Sequence, residues 1–276
     1  MKTNNLKLVG SADDLLYVTF PNMDDGKCIS AFTTRMGGVS RGKYASMNMS
    51  FSNGDSSKSV RENYNILFSA LGLDPEKAVL SHQTHTNNIR VVKERDIGKG
   101  IVIHRDYDNV DGLVTNLKGV ALVTQFADCV PLLFYDPVQE VIATSHAGWR
   151  GTVQEIGKKT VEVMVGLYGC DTKNIRVAIG PSIGRCCYEV DDPVLNEFEM
   201  FTDIPSKKIF TKKENGKYML DLWTANRLIL EGAGIKPKNI CITDLCTCCN
   251  SQFFHSHRAS GGSRGNLAAV IALKED

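Results

Sequence analysis

The stretch FADCVPLLFYDPVQEVIATSHAGWRG, residues 126–151, carries two apolar runs, 131–136 and 140–148, separated by a short turn. Each run is short, almost free of charge and rich in β-branched or aromatic residues, so each reads as a buried strand. Chemistry sits at one end of this hairpin. Cys129 follows Asp128 at the edge of the first strand, and His146 closes the second, leading into the turn Gly148-Trp149-Arg150-Gly151. A thiol and an imidazole placed together make half of a metal site or most of a nucleophile–base pair. The pattern around the hairpin has to decide between them.

Outward from this stretch, GVALVTQFA (119–127), IRVAIGPSI (175–183), NICITD (239–244) and LAAVIAL (267–273) read as further strands. Residues 17–34 hold two short strands around the turn NMDDGK, and AVLSHQTH and IRVV read as strands as well. Ser59 is the expected cap of a helix running to Leu71, with Gly72 closing it. Thr152 to Tyr168 is an amphipathic helix whose expected apolar face is Val153, Ile156, Val163, Met164 and Leu167. Further helices are expected near 193–201 and 221–232. TTRMGGVSRGKYASMN is Gly-rich and polar, hence a loop. Strands occur both in hairpins and beside helices, which predicts an α+β fold, a single layered mixed-sheet domain over residues 1–276.

The chain has 276 residues, 42% of them hydrophobic, enough for one large core or two modest ones. A net charge of +1 without a Lys/Arg block argues against a nucleic-acid partner. The run KKEN (212–215) reads as a solvated hairpin tip. No segment has the length of a signal-peptide core or of a membrane span, so a cytoplasmic protein with no membrane partner is expected. Nine cysteines, an odd number, fit thiols that are mostly reduced. Nothing points to a protein partner.

The histidines are His82, His85, His104, His146, His255 and His257. On a strand, a three-residue offset turns His82 and His85 to opposite faces. His85, at the strand end among polar neighbours, is the better candidate to join Cys129 and His146. Such a His2Cys set suits Zn²⁺ and leaves a fourth position open. The alternative is a buried structural cysteine with two unrelated histidines. Arg150, Arg35 and Arg258 lie in Gly-rich loops and are candidates for holding an anion such as phosphate. Cys246, Cys248 and Cys249 crowd one turn. With the usual two-residue gap and second pair not apparent, that turn is expected to carry no metal. Cys186 and Cys187, neighbours on an expected strand, should face opposite ways and not ligate together.

In chain order the sequence contains FTTRMGGVS, HQTHT, DGLVTN, ADCVPLLFYDP, HAGWRG, AIGPSIGRCCYEV and DLCT…FFHSHR. Together these resemble the YfiH/YlmD family, also called the laccase-domain or multicopper polyphenol oxidase family, from about Phe32 to the C-terminus. The resemblance implies an α+β domain of the CNF1/YfiH-like kind and one Zn²⁺ on His85, Cys129 and His146. It also implies a purine nucleoside phosphorylase that deaminates adenosine and cleaves methylthioadenosine. In HSHRASGGSRG, Ala259 and Ser260 stand where relatives often carry Arg-Asp.

Three functions compete for these residues. A phosphorylase acting on adenosine, inosine, guanosine or methylthioadenosine needs an anion cradle, with Arg35, Arg150 and Arg258 as candidates and purine nucleosides and phosphate as small-molecule partners. A copper polyphenol oxidase needs many more histidine ligands than six residues and one H-x-H motif supply, although a single His2Cys copper is compatible with the set. A cysteine amidohydrolase acting on an amide or peptide would use Cys129 as nucleophile and His146 as base. A zinc-stabilised binding protein without catalysis is the non-enzymatic option. An acid for deamination is not evident; Asp128 adjoins Cys129 in sequence.

Overall fold

The long apolar runs lack a polar face because each strand is covered on both sides. The computed structural model describes residues 6–10 and 14–275. Its first sheet has the order β1 (Lys7–Gly10), β2 (Leu16–Thr19), β3 (Cys28–Thr33), β15 (Leu267–Leu273), β7 (Ala121–Phe126), β4 (Ala78–Leu80). The second has the order β14 (Ile240–Ile242), β10 (Arg176–Ile179), β8 (Val130–Asp136), β9 (Val141–Ala147), β6 (Gly112–Thr115), β5 (Ile89–Val91). Both are mixed: β4 and β7 run parallel, as do β5 with β6 and β10 with β14, among antiparallel neighbours. A small third sheet joins β11 (Glu189–Val190), β13 (Tyr218–Leu220) and β12 (Phe210–Lys212).

Successive side chains of a strand point to opposite faces, so each apolar run feeds two cores. Leu122, Phe126, Ala269 and Ile271 of the first sheet meet Leu133, Tyr135 and Ile142 of the second. Their neighbours Ala121, Val123, Ala268 and Val270 pack outward on Val60, Tyr64, Leu67 and Phe68 of α1 (Ser57–Leu71). On the far side, Leu132, Phe134, Ala143 and Val177 lie beneath α3 (Ile156–Tyr168) and α6 (Leu222–Gly232). The layers are helix, sheet, sheet, helices, an α+β architecture.

Several local expectations hold. β2 and β3 pair antiparallel across the NMDDGK turn, and the KKEN run lies at the exposed turn between β12 and β13. Others are corrected. The helix expected from Ser59 starts earlier: Ser56 is the cap, its side chain accepting from the Ser59 N–H at 3.4 Å, while Gly72 closes the helix in the left-handed region. The helix expected over 152–168 is two, α2 (Trp149–Val153) and α3, separated by Glu155 at φ 53°. Its buried stripe is Ile156, Gly157, Thr160, Val161 and Met164, with Val163 at the margin and Leu167 64% exposed. Thr160 belongs to that stripe because its hydroxyl is satisfied by Ser145 Oγ at 2.7 Å and the Ile156 carbonyl at 2.8 Å. The strand expected through AVLSHQTH stops at Leu80. The remaining helices are α4 (Asp192–Phe201), α5 (Ser206–Ile209) and α7 (His257–Ser260). Among the described residues, no helix is long and apolar enough to cross a membrane.

Candidate active site

The chain crosses from the first sheet to the second between Phe126 at the end of β7 and Val130 at the start of β8. Cys129 sits on that crossing. The β8–β9 register pairs Pro131 with His146 and Val130 with Ala147, which brings Cys129 beside Gly148. A side chain at 148 would be crowded: a Cβ there would lie 3.0 Å from Cys129 Sγ and 3.1 Å from His85 Cδ2, so those side chains would have to give way. Asp128, at φ 89°, turns the backbone through the left-handed region, a conformation that costs a non-glycine residue free energy. Its carboxylate braces the turn by accepting from the Thr247 hydroxyl and the Arg258 backbone N–H, each at 2.7 Å. Both of its oxygens are thereby engaged in holding loops.

His85 arrives from a loop rather than a strand, itself at φ 66°. What places it is Asp111, fully buried just before β6. One oxygen of Asp111 accepts from the His85 backbone N–H at 3.0 Å and lies 2.8 Å from His146 Nδ1. The other accepts from the N–H groups of Thr84 and Thr86 and from the Thr86 hydroxyl. A single carboxylate therefore fixes one candidate ligand by its backbone and another by its ring. Sequence reasoning used DGLVTN only as part of the resemblance and gave Asp111 no role; a buried acid at a strand start was the available signal.

The donor atoms of His85, Cys129 and His146 lie within 4.8 Å of one another, with Cys129 Sγ 4.0 Å from His85 Nε2. His85 is exposed, Cys129 half-buried and His146 buried, so the trio opens to solvent on one side. Burial alone would raise the Cys129 thiol, but His146 and His85 beside it bring it down to about 6. Burial would lower His146, but the Cys129 thiolate and the Asp111 carboxylate carry it up to about 9. Burial opposes the Asp111 charge too, yet His146 and the loop N–H groups hold its carboxyl down at about 2. The result is a thiolate–imidazolium pair of Cys129 and His146 on an anchoring carboxylate, with the His85 ring beside it. That donor chemistry fits a zinc ion: borderline nitrogen and sulfur ligands, three in number, with a carboxylate fixing one imidazole.

A cavity of about 230 Å³ opens beside the trio. Its walls include His82, Gln83, Arg105, Arg264, Asn266 and Phe51. His82 thus shares the cavity without sharing the donor cluster, its Nδ1 2.9 Å from Asp108 Oδ1. The three arginines singled out from sequence are elsewhere. Arg35 donates from Nε to the Ala45 carbonyl and from Nη1 to the Ser251 carbonyl, tying two loops together. Arg150 stacks on Trp149, 4.2 Å from the ring centre, and lines a separate depression with Glu197 and Phe201. Arg258 donates to the carbonyls of Cys187 and Glu189, both at 3.0 Å. Gly-rich loops made them candidates; backbone carbonyls, mostly from neighbouring loops, occupy the guanidinium groups of Arg35 and Arg258. The H-x-H pair forms no site: His255 is buried, held neutral with its pKa near 3 by burial and by Arg35 and Arg264, whereas His257 is exposed.

The cysteine readings are revised as well. Cys186 and Cys187 lie in a turn, not on a strand, so alternation does not separate them. Cys246 and Cys249 do have a two-residue gap, and the fold brings Cys186 and Cys187 to them as the second pair, all four Sγ atoms within 4.8 Å. Cys248 is outside that cluster.

Fold and site together define a class: a mixed-sheet α+β protein with an open His2Cys centre at the end of a core hairpin. Comparison with known proteins makes this specific. The chain belongs to the family described as multi-copper polyphenol oxidoreductase laccase, whose model matches residues 29–274. It is 36% identical over 255 residues to the purine nucleoside phosphorylase YlmD of Bacillus subtilis strain 168, covering 92% of this chain and 91% of that one. It is 35% identical over 251 residues to adenosine deaminase RL5 from an unknown prokaryotic organism, covering 89% and 94%. The crystal structure of the Bacillus licheniformis hypothetical protein YfiH superposes with a TM-score of 0.91 at 33% identity, covering 99% of this chain and all of the other. Relatives across the full fold are named as enzymes, and this chain is an enzyme of that family.

Proposed function

We propose that the protein is a zinc-dependent purine nucleoside phosphorylase, acting on adenosine, inosine, guanosine and methylthioadenosine, that also deaminates adenosine. The observation that carries this is the three-donor centre of His85, Cys129 and His146 opening into a cavity walled by two arginines, three amide side chains and an aromatic ring. Zinc on these donors would supply Lewis acidity and activate water at neutral pH. Asp111 holds His146 by Nδ1 and leaves Nε2 free to act as a donor. Arg264 and Arg105 line the cavity, bound to Asn266 and to the Ser81 carbonyl, and their position beside the trio makes them nearer candidates for the phosphate role than Arg35, Arg150 and Arg258. Phe51, stacked on Tyr64 with ring centres 5.7 Å apart, presents an apolar wall to a purine. In phosphorolysis the bond from sugar to base breaks as a phosphate oxygen bonds the anomeric carbon, and the departing base needs a proton. His82, whose Nδ1 lies 2.9 Å from Asp108 Oδ1, lines the cavity and is the candidate for giving it.

One observation favours a second reading. Cys129, His146 and Asp111 stand in the order nucleophile, base and orienting carboxylate, as a cysteine amidohydrolase acting on an amide or peptide would need. Zinc held by Cys129 removes the free nucleophile, so metal dependence separates the two. The copper oxidase has less support, because among the described residues only His85 and His146 meet at the centre and no methionine lines the cavity.

The test is a nucleoside panel with and without phosphate, with ribose 1-phosphate and free base measured. Phosphate-dependent ribose 1-phosphate, lost on zinc removal and restored by zinc, is the expected result. Free ribose formed at a rate indifferent to phosphate would overturn the phosphorylase, and amide cleavage surviving zinc removal would favour the amidohydrolase.

A further inference from the structure

The turn following β10 and the turn following β14 meet at a second donor cluster. Cys186 and Cys187 come from the first, Cys246 and Cys249 from the second. Cys249 Sγ lies 3.4 Å from the sulfurs of both Cys186 and Cys187. A tetrahedral ion with bonds of about 2.3 Å sets its four sulfurs roughly 3.8 Å apart, and the four sulfurs here are all within 4.8 Å, with two pairs at 3.4 Å. A disulfide needs about 2.05 Å, and all nine cysteines are free thiols.

The backbone is arranged around sulfur. The N–H groups of Gly184 and Cys249 point at Cys246 Sγ, at 3.2 and 3.4 Å. Donors aimed at a buried sulfur favour its thiolate form. The Cys246-Thr247-Cys248-Cys249 turn thus has both the spacing and the N–H···S bonding of a metal knuckle. Gly184 is packed beneath the cluster, where a Cβ would come within 3.2 Å of Cys186 Sγ and of Cys246 Cβ, and 2.9 Å of Trp223. Cys246 is buried while Cys186 and Cys249 are exposed, which leaves a path for an ion from solvent.

We propose that Cys186, Cys187, Cys246 and Cys249 form a second, structural zinc site of four thiolates, separate from the His2Cys centre. Four protein ligands close the coordination shell, so this site anchors chain segments and does no chemistry. Loading it releases protons: Zn²⁺ and four thiols give a zinc tetrathiolate and four H⁺. Disulfide formation would need an oxidant that nothing here supplies. The segments it ties together are those that brace the first centre. Thr247 donates to Asp128, the neighbour of Cys129, and Arg258 bonds Asp128 and the Cys187 carbonyl at once. The proposal does not depend on which reaction the His2Cys centre performs.

The experiment counts zinc per full-length chain after purification without added metal, and repeats it with cobalt as a spectroscopic substitute. Wild type should hold two equivalents, Cys186→Ser/Cys249→Ser one, and His85→Ala one. The strong thiolate-to-cobalt absorption should fall to the contribution of the single Cys129 thiolate in the cysteine variant and stay near its wild-type strength in His85→Ala, which keeps the two sites distinguishable. Should the double variant fail to fold, alkylation of wild type decides: with zinc bound, the exposed Cys186 and Cys249 should resist modification, and zinc removal should release them. One zinc in wild type with the cysteine variant unchanged would overturn the proposal. So would equal alkylation with and without zinc, or a disulfide among these four residues in the protein as purified.

Discussion

Asp111 accepts from the backbone N–H groups of three consecutive residues, the Thr86 hydroxyl and His146 Nδ1, so its removal acts on two candidate ligands together. Asp111→Asn should weaken zinc binding at the first centre by roughly 10- to 100-fold, read by competition with a chelator. The same groups hold the Asp111 pKa near 2, below its unfolded value, so the stabilisation is present above about pH 4 and is lost as the pH falls through 2. Cys129 titrates in the metal-free protein with its pKa lowered to about 6. A lowered thiol pKa keeps the reactive thiolate present on acidification until that value is crossed. Alkylation of Cys129 in zinc-free protein should therefore fall with a midpoint near pH 6, where an ordinary thiol would already be inert; a midpoint above 8 would contradict the His146 pairing. Arg264 is the cavity arginine under the field of Asp128 and Cys129. Arg264→Ala should cost on the order of 10- to 100-fold in phosphate-dependent kcat/KM, the size of one lost charge-assisted contact, and Arg264→Lys should recover only part of it. Arg150→Ala, in its separate depression, is the comparison and should stay within about 3-fold of wild type.

At the scale of elements, helix α3 shows where periodicity misleads. Val163 and Leu167 share the helical spacing of the core residues, but the stripe that meets the sheet is centred on Thr160 and Met164. Polar Thr160 is accommodated by two hydrogen bonds, which no apolar count registers. Met164→Ala should destabilise the protein by about 2–5 kcal/mol through the cavity it leaves. Leu167→Ser, at 64% exposure, should stay within about 0.5 kcal/mol. Urea unfolding of both variants checks the pair. Comparable losses would mean that the helix is rotated from its described position. The β8–β9 hairpin was easier to read, because uncharged β-branched runs with a tight turn between them have few alternatives. Its register then sets Cys129 against Gly148.

Across the whole molecule, the first centre lies at the margin of the core between the sheets, where buried His146 packs on Phe126 and Cys129 is half-buried, and the rest of that core forms without its ligands. Removing zinc should consequently abolish turnover while circular dichroism retains the folded spectrum, and zinc should restore activity. Concerted unfolding on chelation of Cys186→Ser/Cys249→Ser, which keeps only the first centre, would show that this centre holds the sheets together. The sequence by itself determined the α+β class, the apolar strands, the hairpin that carries Cys129 and His146 at one end, and the preference for His85, because those rest on local pattern or on motifs in fixed order. Only the tertiary structure decided that Asp111 organises the trio, that Arg105 and Arg264 rather than Arg35, Arg150 and Arg258 reach its cavity, and that two cysteine pairs 59 to 63 residues apart gather at one point. The physical reason is common to all three. Which loop a side chain meets depends on how the two sheets stack and where their crossings fall, and a charge or thiol in a turn carries no periodicity that would mark its partner in advance.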